Sequence, residues 1–351
     1  MKRPDFIVDG IAKLKGLFPR RFPVFRPAVG IDIGSHSVKA VVLRNGSGGE
    51  DFAVSAGEIV HGSGADFDSI RQSLSFLRDD LGIRGAKAAV SVSGGEVFTS
   101  RLKVSADAPR RVMKDEVLLH LSRFFPEGMD GLRYDFWKDP DSPEDILIAV
   151  AKNDAVFLCS RALSSAGFVP SVVDCDCFAL VNSHLRTSTP PDGLAVLLNV
   201  GRGATNFAVL EGTKTVLMRD LPHGSGSLTS EIAGEGGMTA EEAEKEKVSL
   251  SGGSRPEFLS AARGFAESLG REVKSNLETF LGSGAKAEKV SLSGGGSLLH
   301  GFESGISETL GAETVYSDPL RSACDENGGD HMKRLSPKSA VAFGLALRMT
   351  G

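Results

Sequence analysis

Residues 29–43 read VGIDIGSHSVKAVVL, and residues 194–210 read LAVLLNVGRGATNFAVL. Each stretch contains an apolar, β-branched run, a short turn with glycine and a second apolar run, which predicts a β-hairpin. Glycines in such a turn let backbone N–H groups come close to a bound anion. Two such hairpins in one chain predict a pair of similar lobes that hold one polyphosphate between them.

Composition narrows the class of protein. The chain has 351 residues, 41% of them hydrophobic, and so exceeds the usual size of a single domain. Its net charge of -5 argues against a nucleic-acid partner, which normally binds a basic surface. Apolar runs fall short of the ~20 residues that a membrane span needs. Because the pair Cys175-x-Cys177 has no second pair, reduced thiols are favoured over a zinc site.

The sequence predicts a basic leader over residues 1–27, a first lobe over 28–191 and a second lobe over 192–351. The first 26 residues carry seven Lys and Arg against two Asp, with apolar residues near helical spacing. Such a segment is typical of a solvated or packed helix, or of a helix attracted to anionic lipid. The run STPPDG at 188–193 is a strong break and predicts the boundary between the lobes.

An inserted unit is predicted over residues 96–165, as a strand, a helix, two strands and a second helix. Its first helix ends in the triplet FFP at 124–126, which suits either the core or a partner groove. Further along, the charged run EEAEKEK at 241–247 predicts a solvated helix face. The loop SGGGS at 293–297 precedes a helix that is predicted to begin at Leu298.

Several residues in these loops have side chains suited to a nucleotide. Asp32 can hold the hydration shell of Mg²⁺, while the hydroxyls and N–H groups of residues 35–37 face a terminal phosphate. Lys39 either adds positive charge or occupies an outward strand position. The three glycines at 294–296 predict another anion or nucleoside site, because a helix N-terminus supplies N–H donors.

These motifs carry a resemblance. The segments DIGSHSVK at 32–39, NVGRGAT at 199–205 and SGGGS at 293–297 resemble the phosphate-1, phosphate-2 and adenosine motifs of the actin, Hsp70 and sugar-kinase superfamily. Residues 173–179 and 339–348 resemble its two connecting helices. Within this superfamily the layout is most similar to the PilM family of type IV pilus assembly proteins. That family, like FtsA, carries an extra subdomain where the inserted unit lies here.

The resemblance implies an α/β, actin-like two-lobed fold with an inserted FtsA/PilM-type subdomain, which binds ATP and Mg²⁺ in the cleft between its lobes. It implies a cytoplasmic protein at the inner face of the membrane that binds the short cytoplasmic N-terminal tail of a PilN-type partner. Other pilus assembly components are further candidate partners. Membrane association would be peripheral, through the partner or the leader.

By position in the family, Asp32 lies near Mg²⁺, through water, and Asp176 orients an attacking water; these are the two catalytic candidates. The resemblance implies that two loops bind the phosphates and the third binds the adenosine. A long helix, predicted over residues 258–281, is implied to approach the base or ribose. The cofactor-binding candidates are Asp32, Gly34, Ser35, His36, Ser37, Lys39, Asn199, Gly201, Arg202, Gly203, Ala204, Thr205, Glu272, Lys274, Ser275, Gly294, Gly295, Gly296 and Ser297.

The second loop departs from the family pattern. It begins with Asn199 where the family has Asp, and its usual trailing Asp is Asn206. Arg202 adds a cation that can neutralise phosphate charge instead. Because losing a group that positions the metal or water often costs ~10²-fold in rate, we expect a slow ATPase at best.

Two alternatives to an ATP-dependent scaffold stay open. A sugar-kinase-type phosphotransferase needs a carboxylate base beside a polar sugar pocket, and residues 96–165 suggest none. A nucleotide-free scaffold of the same fold is favoured by Asn199 but disfavoured by the intact first and third loops.

Overall fold

The computed structural model describes residues 27–45, 52–62, 64, 66–92, 94–138, 144–321 and 329–350. The predicted leader up to residue 26 and Cys324 lie outside the described residues. Contacts divide the chain into two units. Unit 1 comprises residues 1–33, 37–182 and 341–351, and unit 2 comprises residues 34–36 and 183–340.

Unit 1 contains a mixed five-stranded sheet and a smaller sheet. Its elements are β1 (Ala28–Ile33), β2 (Ser37–Asn45), β3 (Phe52–Val60), α1 (Phe67–Asp80), β4 (Lys87–Val92), β5 (Val97–Lys103), α2 (Arg110–Leu121), β6 (Leu132–Lys138), β7 (Asp145–Lys152), α3 (Asn153–Ser165), β8 (Val169–Cys175) and the start of α4 (Asp176–Thr187). Strands β1 to β3 form an antiparallel meander, and β4 and β8 extend it in parallel, in the order β3-β2-β1-β4-β8.

Unit 2 repeats this strand pattern. Its elements are β9 (Leu194–Val200), β10 (Thr205–Glu211), β11 (Lys214–Leu221), α5 (Gly226–Gly236), α6 (Ala240–Ser249), α7 (Pro256–Leu281), β12 (Ala287–Ser293), α8 (Phe302–Leu310), β13 (Glu313–Tyr316) and α9 (Gly329–Leu335). An antiparallel meander is again extended by two parallel strands, in the order β11-β10-β9-β12-β13. Units 1 and 2 therefore share the same order of strands.

Strand β1 lies in the middle of its sheet and is buried from Ala28 through Asp32. The last helix of the chain, α10 (Ala340–Leu347), packs against it. A Cβ on Gly30 would lie only 2.0 Å from the carbonyl oxygen of Ala342. A larger residue at position 30 would therefore push α10 away from the sheet.

The three strands of the inserted unit form the antiparallel sheet β5-β7-β6. Helix α2 buries Met113, Val117 and Leu121, whose four-residue spacing places them on one side of the helix. Phe125 packs against this core, whereas Phe124 is 49% exposed. The two aromatic residues that follow α2 are therefore divided between the core and the surface.

One predicted helix begins later than the sequence suggested. After the SGGGS loop, Gly295–Leu298 forms a single 3-10 turn, and α8 starts only at Phe302. Gly301, with φ of 75°, separates the two, because a left-handed residue interrupts a helix. The segment 339–348, which resembles the second connecting helix, is helical over Ala340–Leu347, after a 3-10 turn over Pro337–Ser339. Within the described ranges, no helix is long and apolar enough to cross a membrane.

Candidate functional site

Asp32 and Lys39 face each other across the hairpin that joins β1 and β2. The strand register pairs them directly, so both side chains lie on the same face of the sheet. Lys39 Nζ lies 3.1 Å from Asp32 Oδ2, and the two side chains are 12% and 13% exposed. Of the two predicted roles for Lys39, the outward strand position is wrong, because its ammonium group is held inside unit 1.

Further carboxylates surround Lys39. Burial lowers its pKa, but attraction to Asp32 and Glu58 outweighs burial and raises the pKa above the usual 10.5. Asp176, the first residue of α4, adds to this attraction. The Ser37 hydroxyl donates to Glu58 Oε1 at 2.8 Å. Unit 1 thus brings the candidate residues Asp32, Lys39 and Asp176 into one charged cluster.

The turn of this first hairpin, residues 34–36, groups with unit 2. Ser35 is exposed, and a Cβ on Gly203 would lie 3.5 Å from Ser35 Oγ. This is an ordinary van der Waals distance, so the turns of the first and second predicted phosphate loops lie side by side.

The turn between β9 and β10 is closed by backbone hydrogen bonds. The Gly201 N–H donates to the Ala204 carbonyl oxygen at 2.9 Å, and the Gly226 N–H donates to that of Arg202 at 2.8 Å. A Cβ on Gly224 would lie 2.2 Å from the Arg202 carbonyl oxygen, so this approach requires glycine. The second loop is therefore held against the N-terminus of α5.

The Arg202 side chain forms an ion pair with Glu244 on α6. The same carboxylate accepts hydrogen bonds from Thr229 Oγ1 at 2.6 Å and from Lys247 Nζ at 2.9 Å. Lys247, only 3% exposed, also donates to the Ser225 carbonyl oxygen at 3.2 Å. Arg202, predicted to neutralise phosphate charge, is thus held by a carboxylate of its own unit.

The charged run at 241–247 is therefore only partly a solvated helix face, and the prediction is wrong for Glu244 and Lys247. Glu241 and Lys245 form an exposed ion pair of 2.8 Å, as a solvated face would. Burial lowers the pKa of Lys247, and the Glu244 carboxylate opposes this only in part. Burial also raises the pKa of Glu244, but the hydrogen bonds it accepts outweigh burial and leave the pKa below its usual value.

Asn199 and Asn206, the two departures from the family pattern, are hydrogen-bonded to each other. Asn199 Nδ2 donates to Asn206 Oδ1 at 2.7 Å, and Asn206 Nδ2 donates to Asp220 Oδ1 at 2.6 Å. On the other side, the Ser293 hydroxyl donates to Asn199 Oδ1 at 3.2 Å. We call this row of four side chains, Ser293, Asn199, Asn206 and Asp220, the amide ladder.

The third predicted loop is packed against the second by its glycines. A Cβ on Gly294, whose φ is 84°, would lie 2.4 Å from the Val200 carbonyl oxygen, and one on Gly296 would lie 2.6 Å from Val200 Cγ1. Ser297 Oγ donates to the Gly294 carbonyl oxygen at 2.8 Å and closes the turn. A Cβ on Gly295, in contrast, would meet nothing of the described chain within 4 Å. Gly295 therefore borders open space beside a rigid loop.

Glu272 on α7 reaches the second loop through His223. The two side chains approach to 3.0 Å between His223 Nδ1 and Glu272 Oε2, and the Thr205 hydroxyl donates to the His223 carbonyl oxygen at 2.6 Å. Lys274 and Ser275 are exposed. A helix turns by about 100° per residue, so Lys274 lies on a different side of α7 from Glu272.

The described side chains fit a phosphate better than a protein-held metal. In the part of the chain that the structure describes, no three His, Cys, Asp or Glu side chains are grouped to hold a metal ion, Cys175 and Cys177 included. Mg²⁺ requires oxygen ligands. The Asp32 carboxylate is paired with Lys39, and position 199 carries an amide. The glycine loops, in contrast, let backbone N–H groups approach an anion.

Sequence analysis missed several residues that build this region. The segment GSGS at 224–227 follows a strand and precedes a helix, the same signature as the other loops, so it could have been found. His223 and Glu244 gave no such signal, because their contacts depend on how distant segments pack.

Comparisons with known proteins show what the whole chain is similar to. A family model described as type IV pilus assembly protein PilM matches residues 30–350. The chain is similar to a chain of the PilM–PilN type IV pilus biogenesis complex, with 25% identity over 92% of this chain and 98% of that chain and a TM-score of 0.81.

Two more distant structures show the fold alone. Ethanolamine utilization protein EutJ from Carboxydothermus hydrogenoformans is 16% identical over 96% of this chain and 94% of that chain, with a TM-score of 0.57. A protein of actin-like ATPase fold from Bacteroides thetaiotaomicron VPI-5482 is 7% identical over 83% of this chain and 91% of that chain, with a TM-score of 0.50. The predicted actin-like α/β fold is therefore confirmed.

Proposed function

This chain belongs to the PilM family of type IV pilus assembly proteins, and from that premise we propose that it is an ATP-binding scaffold of the pilus assembly machinery. In this role it works in the cytoplasm at the inner face of the membrane and binds the N-terminal tail of a PilN-type membrane protein. The bound nucleotide sets the affinity for that tail. Hydrolysis is slow at best, because Asn199 replaces a carboxylate.

The observation that carries the nucleotide part is the convergence of three glycine loops in unit 2. Gly201, Gly224 and Gly294 each lie where their neighbours leave no room for a side chain. Together with the N-terminus of α5, such loops offer backbone N–H groups to a phosphate. Mg²⁺ would accompany ATP on its phosphates, since unit 2 supplies no carboxylate at position 199.

Similarity to the PilM–PilN complex supports the partner part of the proposal. We place the PilN-type tail on α2 of the inserted unit, where Leu119 is 65% exposed and Val112 is 42% exposed. The two lie seven residues apart and so on the same side of the helix. Phe124, 49% exposed, continues this apolar surface just beyond α2. An apolar segment of the tail would cover all three.

Calorimetric titration of ATP, with a pair of matched glycine variants, tests the nucleotide part. Gly295 and Gly252 both border open space, so valine at either position fits the fold. If the space beside Gly295 holds nucleotide, Gly295→Val weakens ATP binding by about tenfold or more without lowering the Tm. Gly252→Val, in an exposed loop, binds ATP as the wild type does.

A folded wild type that binds no ATP would refute the nucleotide part and leave a nucleotide-free scaffold. Equal ATP affinity of Gly295→Val and the wild type would refute the placement at the third loop.

Binding of a synthetic PilN-type tail tests the partner part. We expect Leu119→Ser to weaken tail binding, since it removes an exposed anchor, and Val248→Ser in unit 2, where Val248 is 73% exposed, to leave it unchanged. The tail affinity should also differ between ATP-bound and nucleotide-free protein, because a ligand shifts an equilibrium only through different affinities for two states. Equal losses in both variants would argue against α2.

A further inference from the structure

The amide ladder runs straight across four neighbouring strands of unit 2. Strand register places Ser293 beside Asn199, Asn199 beside Asn206, and Asn206 beside Asp220. The four residues belong in turn to β12, β9, β10 and β11. Ser293 and Asn206 are buried, at 1% and 4% exposure, so their hydrogen bonds have little competition from water. The ladder links the strand before the third loop with both strands that flank the second.

Asp220 determines the direction of the whole row. Its carboxylate only accepts hydrogen bonds, so Asn206 must present its NH₂ group to it. The Asn206 oxygen then faces Asn199, which in turn must present its own NH₂ group. This leaves the Asn199 oxygen facing the Ser293 hydroxyl, whose proton is within reach of that oxygen at 3.2 Å and of the Leu198 carbonyl oxygen at 3.3 Å. Each amide orientation follows from the acceptor at the β11 end.

This direction makes a carboxylate at position 199 incompatible with the rest of the row. An aspartate there would place an oxygen where the Asn199 Nδ2 donor now lies, 2.7 Å from the Asn206 oxygen. Rotating the Asn206 amide would only move the conflict, because its oxygen would then face Asp220. Asn199 is thus more than an uncharged substitute for aspartate, since the direction set by Asp220 requires a hydrogen-bond donor at position 199.

We propose that Asp220 is a positioning residue that sets the direction of the amide ladder and thereby excludes a metal-binding carboxylate from the second phosphate loop. This role of Asp220 has a consequence for nucleotide binding, which rests on the proposed function. Unit 2 binds the phosphates without a metal ligand at position 199. Exchanging the residues at positions 199 and 220 should reverse the direction of the two hydrogen bonds between them. With Asn at 220, Asn206 can turn its NH₂ group toward an aspartate at 199 and accept from the new amide.

A double-mutant cycle of melting temperatures tests the ladder without any nucleotide. The variants are Asn199→Asp, Asp220→Asn and the double variant, with Asn276→Asp as a matched control. Asn276 Oδ1 accepts from Arg219 at 3.2 Å, and its Nδ2 donates to the Glu272 carbonyl oxygen at 2.9 Å. An aspartate there therefore also loses one amide donor, but outside the ladder and beside a cation. We expect Asn199→Asp to lower the Tm by about 5 °C or more, since it leaves a buried acceptor facing an acceptor. The double variant should recover most of this loss.

The nucleotide consequence is tested by the Kd of ATP with Mg²⁺ and with a chelator. The double variant carries a carboxylate at 199, so Mg²⁺ should strengthen its ATP binding about tenfold more than that of the wild type. The role of Asp220 would be overturned if the Tm changes of the two single variants simply add in the double variant. It would also be overturned if Asn199→Asp has the same Tm as the wild type. An equal Mg²⁺ effect in both proteins would overturn the metal consequence. If neither protein binds ATP, the proposed function fails, and the melting cycle still decides the ladder.

Discussion

The β1–β2 hairpin of unit 1 and the β9–β10 hairpin of unit 2 fill the same pair of positions with different chemistry. In each, two side chains seven residues apart meet across the hairpin, just before and just after the glycine turn. In unit 1 they are Asp32 and Lys39, which form an ion pair. In unit 2 they are Asn199 and Asn206, which share an amide hydrogen bond.

The two side-chain pairs depend on their surroundings in different ways. The ion pair of unit 1 has more negative than positive charge around it, because Glu58 and Asp176 also attract Lys39. The amide pair of unit 2 carries no charge and depends instead on the direction set by Asp220. Equivalent backbone positions in two similar halves therefore respond differently to substitution, by charge in unit 1 and by donor direction in unit 2.

Replacing Lys39 by methionine should have the largest effect on stability. The change removes the ion pair of unit 1, which is one of the two compared side-chain pairs. The change leaves the carboxylates of Asp32, Glu58 and Asp176 without the cation that they surround. Leaving a buried charge without its partner costs about 3 kcal/mol or more. Urea unfolding measures the loss, and Lys274→Met, which removes an exposed lysine, is the control. A loss no larger than that of the control would show that the ion pair contributes nothing.

Glu244→Gln should have the next largest effect and extends the comparison to the charges around the second loop. The glutamine keeps the size of Glu244 but leaves the cations of Arg202 and Lys247 without a carboxylate between them. Hydrogen bonds to charged groups contribute about 2 kcal/mol each, so we expect a loss of that order. The exposed Glu241, which pairs with Lys245, offers the control Glu241→Gln. Equal stability of the two variants would contradict a structural role for Glu244.

Features coded within one hairpin were predictable, and features that join distant segments were not. The glycine turns, the two hairpins and the long helix follow from local patterns that one stretch of sequence contains. The ion pair between Glu244 and Arg202 joins residues 42 positions apart, so no local pattern indicates it. The amide ladder requires the register of four strands, and sequence alone does not specify which residue of β11 lies beside Asn206. For this reason Asn199 looked like a simple loss of charge.

The smallest predicted effect is the pH dependence of the two internal lysines, whose pKa values move in opposite directions. Lys39 has a pKa above 10.5 because its carboxylates outweigh burial, so its contribution is complete below 10.5 and is lost as pH rises through the folded value. The stability deficit of Lys39→Met relative to the wild type should therefore shrink at high pH.

Lys247 has a pKa below 10.5 because burial outweighs its one carboxylate. Between its folded pKa and 10.5 the unfolded chain holds more protons, so folding becomes more favourable as pH rises. The stability deficit of Lys247→Met relative to the wild type should consequently grow as pH rises toward 10.5. Over the same pH range the stability deficit of Lys39→Met should stay constant. Unfolding free energies of the three proteins from neutral pH to above 10.5 measure both trends, and taking differences removes the titration of all other groups. Parallel curves for the two variants would mean that unit 1 and unit 2 hold their buried lysines in equivalent electrostatic environments, contrary to the comparison of their hairpins.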